Sequence, residues 1–282
     1  ILNLSRPHPA LMLAMSGQLM SIIPKHIYGD GEIKDVKTHP RNNENVVGSG
    51  PFKLAEFKNG EHVILERFDD FFIKGRPYLD KVVMRIITDP AARAIAYENG
   101  EIHMGAFESL PRIINRLKKV DSLTVTSEGY GAIGPVDWLA MNTTKGPLAD
   151  VRVRKAIAYA VDKNFIHKAL MQGTASDSTS GIHPDSPFYA AQEGYDVDLE
   201  KSAALLDEAG FPVKDGKRMT LTIDFGWPGV KPQVEYVKAA LKKINIDVQV
   251  RASADFPTWA KKMGTMDFDM SWDTVFNWGD PV

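Results

Sequence analysis

The histidines are the first residues to consider for metal or acid–base chemistry. No two of them stand three or four residues apart, the spacing that places two ligands on one face of a helix. The chain also lacks cysteine, which excludes thiolate metal sites, disulfides and cysteine nucleophiles. We therefore expect neither a metal site nor a cofactor. The seven histidines are His8, His26, His39, His62, His103, His167 and His183.

The motifs of nucleophilic and phosphate chemistry are absent as well. No serine lies in a GxSxG elbow. The loop GSGPF at residues 48–52 lacks the lysine of a phosphate-binding loop, and it precedes a predicted strand rather than a helix. Asp89, Asp150 and Asp198 stand at predicted helix starts, where a carboxylate caps free backbone N–H groups. The sequence therefore predicts a protein without catalysis.

The five tryptophans, all in the second half of the chain, are better candidates for a functional site. Aromatic walls with a few polar groups are typical of small-molecule pockets, and open α/β sheets bind ligands at strand carboxyl ends. We expect Trp227, Trp272 and Trp278 to line a ligand cleft, Trp272 and Trp278 there rather than in the core, together with Trp138 beside a Gly-rich crossing. Packing in the core is an equal alternative for any single tryptophan. Trp259 lies in an amphipathic helical pattern, where we expect it to pack.

Strand and helix patterns alternate along the chain and predict the α/β class. Three glycines and a proline within residues 128–135 predict a chain crossing, where we place a lobe boundary. Helical patterns occupy residues 11–23, 90–100, 113–117 and 234–241, and further helices begin at Val151 and Leu199. Runs rich in Val, Ile and Phe predict strands at residues 52–57, 62–68 and 81–88, and further strands are predicted at residues 123–128, 138–142, 219–225 and 246–251.

Composition and charge limit the class of protein. Hydrophobic residues at 44% and charged residues at 25% are typical of a globular protein, and 282 residues suffice for two compact units. The formal net charge of -2 lacks the basic excess of a nucleic-acid binder. No stretch reaches the roughly 20 apolar residues of a membrane helix. Residues 1–4 carry no signal-peptide pattern, and we expect truncation at both ends.

Several strings from about residue 45 to the end resemble those of family-five solute-binding proteins, the peptide/nickel/opine class that serves ABC importers. The stretch at residues 138–163 is similar to the most recognisable part of that family. The strings are VGSGPF at 47–52, NGEIH at 99–103, WLAMN at 138–142, GPLADVRVRKAI at 146–157 and DLEKSAALLDEAGF at 198–211.

The resemblance implies a two-lobed α/β architecture like that of type II periplasmic binding proteins, present here incompletely. Residues 1–45 would be a remnant of a small inserted domain and a connector, residues 46–130 part of the first lobe, and residues 131–282 the second lobe, truncated at its C-terminus. The lobes would close on a small-molecule or peptide ligand and deliver it to an ABC permease in the membrane. We expect a monomer in the periplasm or another extracytoplasmic location, where a lipid anchor is permitted.

The resemblance also points to polar ligand contacts near the C-terminus. Peptide-binding members of the family hold the peptide amino group with an aspartate shortly before a DP or EP pair. Counting back from Asp280-Pro281, the equivalent here is Asn277, with Asp273 further upstream. We expect Asn277 or Asp273 to hydrogen-bond a peptide-like, opine-like or other small polar solute.

Two alternatives remain open at this point. The chain could be a catalytic fragment such as a hydrolase domain, which turnover by the purified protein would reveal. It could also be a sensor domain of the same fold that feeds no transporter, which an adjacent permease gene would oppose.

Overall fold

The computed structural model divides the chain into two compact units, residues 1–103 and 104–282. The predicted lobe boundary between residues 130 and 131 falls inside the second unit, and the assignment of lobes remains a prediction. The predicted helix at residues 11–23 lies largely outside the described residues. The structure describes residues 3–8, 11, 15, 20–29, 36, 38–42 and 44–276.

The first unit contains a three-stranded antiparallel sheet. Its strands are β1 (Phe52–Lys58), β2 (His62–Arg67) and β3 (Lys81–Arg85), and β2 lies in the centre. A turn at Asn59-Gly60 joins β1 to β2, and Gly60 has a φ of 76°, which glycine adopts without strain. The helices of this unit with described bounds include α1 (Lys25–Tyr28) and α2 (Pro90–Glu98).

The second unit contains a four-stranded mixed sheet. The strands stand in the order β4-β7-β5-β6, with β4 antiparallel to β7 and with β5 parallel to both β6 and β7. Their bounds are β4 (Pro135–Met141), β5 (Met219–Phe225), β6 (Ile246–Ala252) and β7 (Met270–Phe276).

Helices of the second unit alternate with these strands, as the sequence predicts. In chain order they are α3 (Pro111–Leu117), α4 (Val151–Ala160), α5 (Lys163–Phe165), α6 (Leu199–Glu208), α7 (Lys231–Lys242) and α8 (Phe256–Gly264). The short α5 continues into a π-helical turn, Ile166–Leu170. Within the described ranges, no helix has the length and apolar character needed to cross a bilayer.

Carboxylate caps begin the helices where the sequence predicts them. Asp89 accepts a hydrogen bond from a backbone N–H at the start of α2, Asp150 does so for α4, and Asp198 does so for α6, with donor–acceptor distances of 2.7–2.8 Å. Hydrogen bonds from the side chain and backbone of Arg152 also lower the pKa of Asp150 to about 2. These caps set the residues at which α4 and α6 begin, and the apolar sides of both helices pack in the core.

The two faces of the four-stranded sheet differ in their neighbours. On the core face, Ile223, Met270 and Trp272 pack with apolar residues of α4, α6 and α7. Because side chains alternate along a strand, Asp224, Ser271 and Asp273 point to the opposite side. We call this second side the outer face, and α8 packs against part of it, because its residues hydrogen-bond Ser271 and Asp224.

A buried carboxylate joins the outer face to α8. The Asp224 side chain is 0% exposed and accepts hydrogen bonds from Arg251 of β6, at 2.5 and 3.1 Å, and from Lys262 of α8, at 2.8 Å. A buried charge is tolerated when it is paired and hydrogen-bonded in this way. The three side chains therefore tie β5, β6 and α8 together.

One predicted strand is absent. Residues 123–128 have the Val and Thr content of a strand, but they form neither strand nor helix. A strand also needs a neighbouring edge with which to exchange backbone hydrogen bonds, and in the described ranges this segment pairs with none. The prediction of a strand there was wrong for this non-local reason.

Replacing both Arg251 and Lys262 with Met should destabilise the protein by about 3–5 kcal/mol, because the Asp224 carboxylate would stay buried without a counter-charge. Asp224→Asn should cost less, since the two cations are 36% and 26% exposed and can turn to water. Lys242→Met is a control that breaks the exposed Lys242–Asp247 pair, and it should cost under about 1 kcal/mol. Urea denaturation measures all three losses, and a double variant no less stable than Asp224→Asn would contradict the prediction.

Candidate functional site

The structure brings together two of the predicted site residues, Trp138 and Asp273. They stand directly opposite each other where β4 pairs with β7, so their side chains share the outer face of the sheet. The Trp138 side chain acts on the Asp273 carboxylate and tends to lower its pKa, while 45% of the Trp138 surface remains exposed. An indole and a carboxylate therefore form one partly open surface.

Asp273 lies in an environment that disfavours its charge. Burial raises the pKa of the Asp273 carboxyl, and the nearby charge of Asp137 adds to the increase. The backbone N–H of Thr274, which donates to the Asp273 carboxylate at 2.6 Å, and the side chain of Trp138 act in the opposite direction without cancelling the increase in pKa. Within the described ranges, no lysine or arginine forms an ion pair with Asp273. This carboxylate can therefore accept a cationic donor from a ligand.

Trp227 belongs to an aromatic cluster at the carboxyl end of β5. Its ring meets the Trp259 ring edge-on, with 5.4 Å between centroids and an interplanar angle of 73°. Phe256 extends the cluster, with its centroid 5.3 Å from that of Trp259. Trp227 is half-buried and packs in part against the hydrophobic core, whereas Trp259 is 6% exposed and packs α8 as predicted. The cluster thus leaves part of Trp227 available to a ligand.

The remaining predicted site residues are Trp272, Asn277 and Trp278. Trp272 is 6% exposed and packs in the hydrophobic core, so the prediction that it lies outside the core was wrong. The physical reason is the alternation of β7, which turns Trp272 to the core face and Asp273 to the outer face. The role of Trp272 in ligand contact remains a prediction. Asn277 and Trp278 lie outside the described residues.

The sequence did not reveal two residues that organise the Trp227–Trp259 cluster. Ser271 is fully buried on the outer face, where it accepts a hydrogen bond from the Trp259 indole N–H at 3.0 Å. Gly226 lies against the Trp259 ring. A serine inside a strand and a glycine after one carry no distinctive signal, since their roles depend on a helix distant in sequence.

The Trp138–Asp273 pair combines flat aromatic area with one carboxylate of raised pKa. Such a combination can bind a small solute through stacking contacts and a few hydrogen bonds, and can favour a positively charged group. In the part of the chain that the structure describes, no group of three or more potential ligands could hold a metal ion.

Known proteins similar to this chain are solute-binding proteins. The model of the family described as bacterial extracellular solute-binding proteins, family 5 Middle, matches residues 1–282. An oligopeptide-binding protein of Bacillus subtilis, AppA, is 31% identical over 256 residues, which cover 82% of this chain and 44% of that relative. The chain thus spans about half the length of the curated relatives it matches.

Solved structures show the same likeness. The periplasmic binding protein DppA of Helicobacter pylori, in complex with the peptide STSA, matches 98% of this chain and 52% of its own, with a TM-score of 0.84 and 26% identity. NikA of Brucella suis, in complex with Fe(III)-EDTA, matches 81% of this chain and 48% of its own, with a TM-score of 0.68 and 30% identity. The likeness confirms the predicted α/β class of the two-lobed periplasmic binding proteins.

Because the family model matches the whole sequence, the chain belongs to family 5 of the bacterial extracellular solute-binding proteins.

Proposed function

We propose that the whole protein is the substrate-binding component of an ABC importer and captures a peptide-like, opine-like or other small polar solute between two lobes. The observation that carries this proposal is the Trp138–Asp273 pair. It offers an exposed indole beside a carboxylate that has no cationic partner within the described ranges. A ligand with an ammonium or similar group would supply the missing positive charge.

The related proteins support this class of solute without fixing its identity. One is named for oligopeptides, and another was solved with the peptide STSA. A third was solved with a metal chelate, Fe(III)-EDTA. The same family thus holds chemically different polar solutes, and the residues around Asp273 decide which one binds here.

The cellular setting follows from the same proposal. The protein acts without catalysis as a monomer outside the cytoplasm, and it delivers its solute to an ABC permease in the membrane. The division into residues 1–45, 46–130 and 131–282 describes how the chain would contribute to the lobes. Mass spectrometry of solutes that co-purify with the whole protein tests the proposal directly, and turnover of a bound solute would contradict it.

Replacing Trp227 with Ala should weaken binding of the co-purified solute by ~2 kcal/mol or more, the range of aromatic hot spots. Phe165→Ala is the matched control. Phe165 is an exposed aromatic that stacks on Tyr236 of α7, the helix that covers the core face. Isothermal titration measures both affinities. Equal affinities of the Trp227→Ala variant and the unchanged protein would remove Trp227 from the site.

Asp273→Asn should make stability less sensitive to pH. Because burial raises the pKa of Asp273 above its ordinary value of 3.8, the folded state binds the proton more tightly than the unfolded chain. Stability is therefore lost as the pH rises from 3.8 through the raised pKa. The free energy of unfolding of Asp273→Asn, relative to the unchanged protein, should increase across this window and then level off.

Asp247→Asn provides a control of opposite sign. A hydrogen bond from Lys242 lowers the pKa of Asp247, so its contribution is present above the ordinary carboxyl pKa and is lost as the pH falls through the lowered one. That variant should therefore lose stability relative to the unchanged protein as the pH rises. Urea denaturation at a series of pH values measures both differences, and a pH-independent difference for Asp273→Asn would contradict the assigned burial cost.

A further inference from the structure

Gly226 is the point at which the chain leaves β5 toward Trp227, and no side chain fits there. A Cβ atom at this position would lie 2.8 Å from Cγ, 3.0 Å from Cδ2 and 3.1 Å from Cβ of Trp259. Contacts this short between carbon atoms are strongly repulsive, since the optimal separation is about 3.5–4.0 Å. The Trp259 ring therefore occupies the space that any other residue at position 226 would need.

The Trp259 ring cannot move away easily, because it is held at its other side. Its indole N–H donates to Ser271 Oγ at 3.0 Å, and that hydroxyl donates to the backbone oxygen of Asp224 at 3.2 Å. Three residues further along α8, Lys262 binds the Asp224 carboxylate at 2.8 Å. Residues three apart share a helix face, so one face of α8 is fixed to the outer face of the sheet by two different side chains.

The same ring also contacts Trp227 edge-on. Trp259 thus limits both the path of the backbone at Gly226 and the position of the next side chain. Asp224 of β5 pairs with Ser271 of β7. Gly226 lies two residues after Asp224, and Asp273 lies two residues after Ser271. The docking of α8 therefore also influences how far the Trp227 indole stands from the Asp273 carboxylate.

We propose that Trp259 is a positioning residue for Trp227, and that Gly226 is the position that permits this contact. The role rests on the proposed function, in which Trp227 touches the solute. Trp259 acts through Trp227 and fixes the spacing between the aromatic contact and the carboxylate. It thereby sets affinity without contacting the solute.

The first test compares two glycines of the same loop in the whole protein. Gly226→Ala adds a methyl group against Trp259, whereas at Gly229 an added Cβ would meet its nearest neighbours at 3.9 Å, an ordinary contact. Hydrogen–deuterium exchange should become faster at residues 226–230 in Gly226→Ala and stay unchanged in Gly229→Ala. Exchange in β1–β3 reports the integrity of the first unit and should stay unchanged in both. Unaltered exchange at 226–230 in Gly226→Ala would overturn the inference.

The second test asks whether Trp259 acts through Trp227. Trp259→Phe keeps the Cβ and Cγ atoms that face Gly226 but removes the indole N–H. Binding of a pool of synthetic di- to pentapeptides is measured by native mass spectrometry in the unchanged background and in Trp227→Ala. In the unchanged background, we expect Trp259→Phe to weaken binding about fivefold or more, which is the threshold of a significant contact. In the Trp227→Ala background, we expect it to have no further effect.

The two tests separate the inference from the proposed function. Equal losses from Trp259→Phe in both backgrounds would overturn the positioning role, even if the unchanged protein binds the pool well. If the unchanged protein binds no peptide of the pool, the proposed function fails for peptides. The exchange at residues 226–230 then decides the inference alone, because that measurement needs no ligand.

Discussion

The outer face of the second unit depends on one neutralised charge, the Asp224 carboxylate between Arg251 and Lys262. A carboxylate that is 0% exposed would be very costly without these partners. Because the partners come from β6 and α8, satisfying the charge also brings these two elements to β5. The position of α8 in turn determines where Trp259 lies, and Trp259 meets both Gly226 and Trp227. The geometry of the candidate site therefore follows from an electrostatic requirement inside the sheet.

Much of the fold can be predicted from local signals in the sequence. Strand β5 occupies the predicted residues 219–225, where apolar and polar residues alternate strictly, a signal that acts over a few residues. The caps at Asp89, Asp150 and Asp198 are equally local, since each carboxylate reaches a backbone N–H only two or three residues away. Where structure depends on a few neighbouring residues, the sequence pattern is sufficient.

The candidate site could be predicted only in part, because it depends on pairing between distant segments. The register that places Trp138 opposite Asp273 joins residues far apart in the chain. Strand alternation separates Trp272 from Asp273, but it does not reveal which of the two faces the helices will cover. The strand predicted at residues 123–128 failed for a related reason, since strand propensity does not supply a partner edge. Tertiary neighbours decided each of these outcomes.

Two carboxylates on the same face of the sheet have opposite electrostatic settings, and the contrast supports a division of roles. Asp224 has two cations from the chain itself and serves the packing of α8. Asp273 lies two residues beyond Ser271, the partner of Asp224 in the sheet. It accepts a hydrogen bond from the Thr274 backbone N–H but has no cationic partner within the described ranges, and burial raises its pKa. Retaining such a carboxylate lowers stability near neutral pH, so stability alone does not favour it. A solute that carries a positive charge would give Asp273 the partner that Asp224 already has, and binding would then relieve a cost that folding leaves in place.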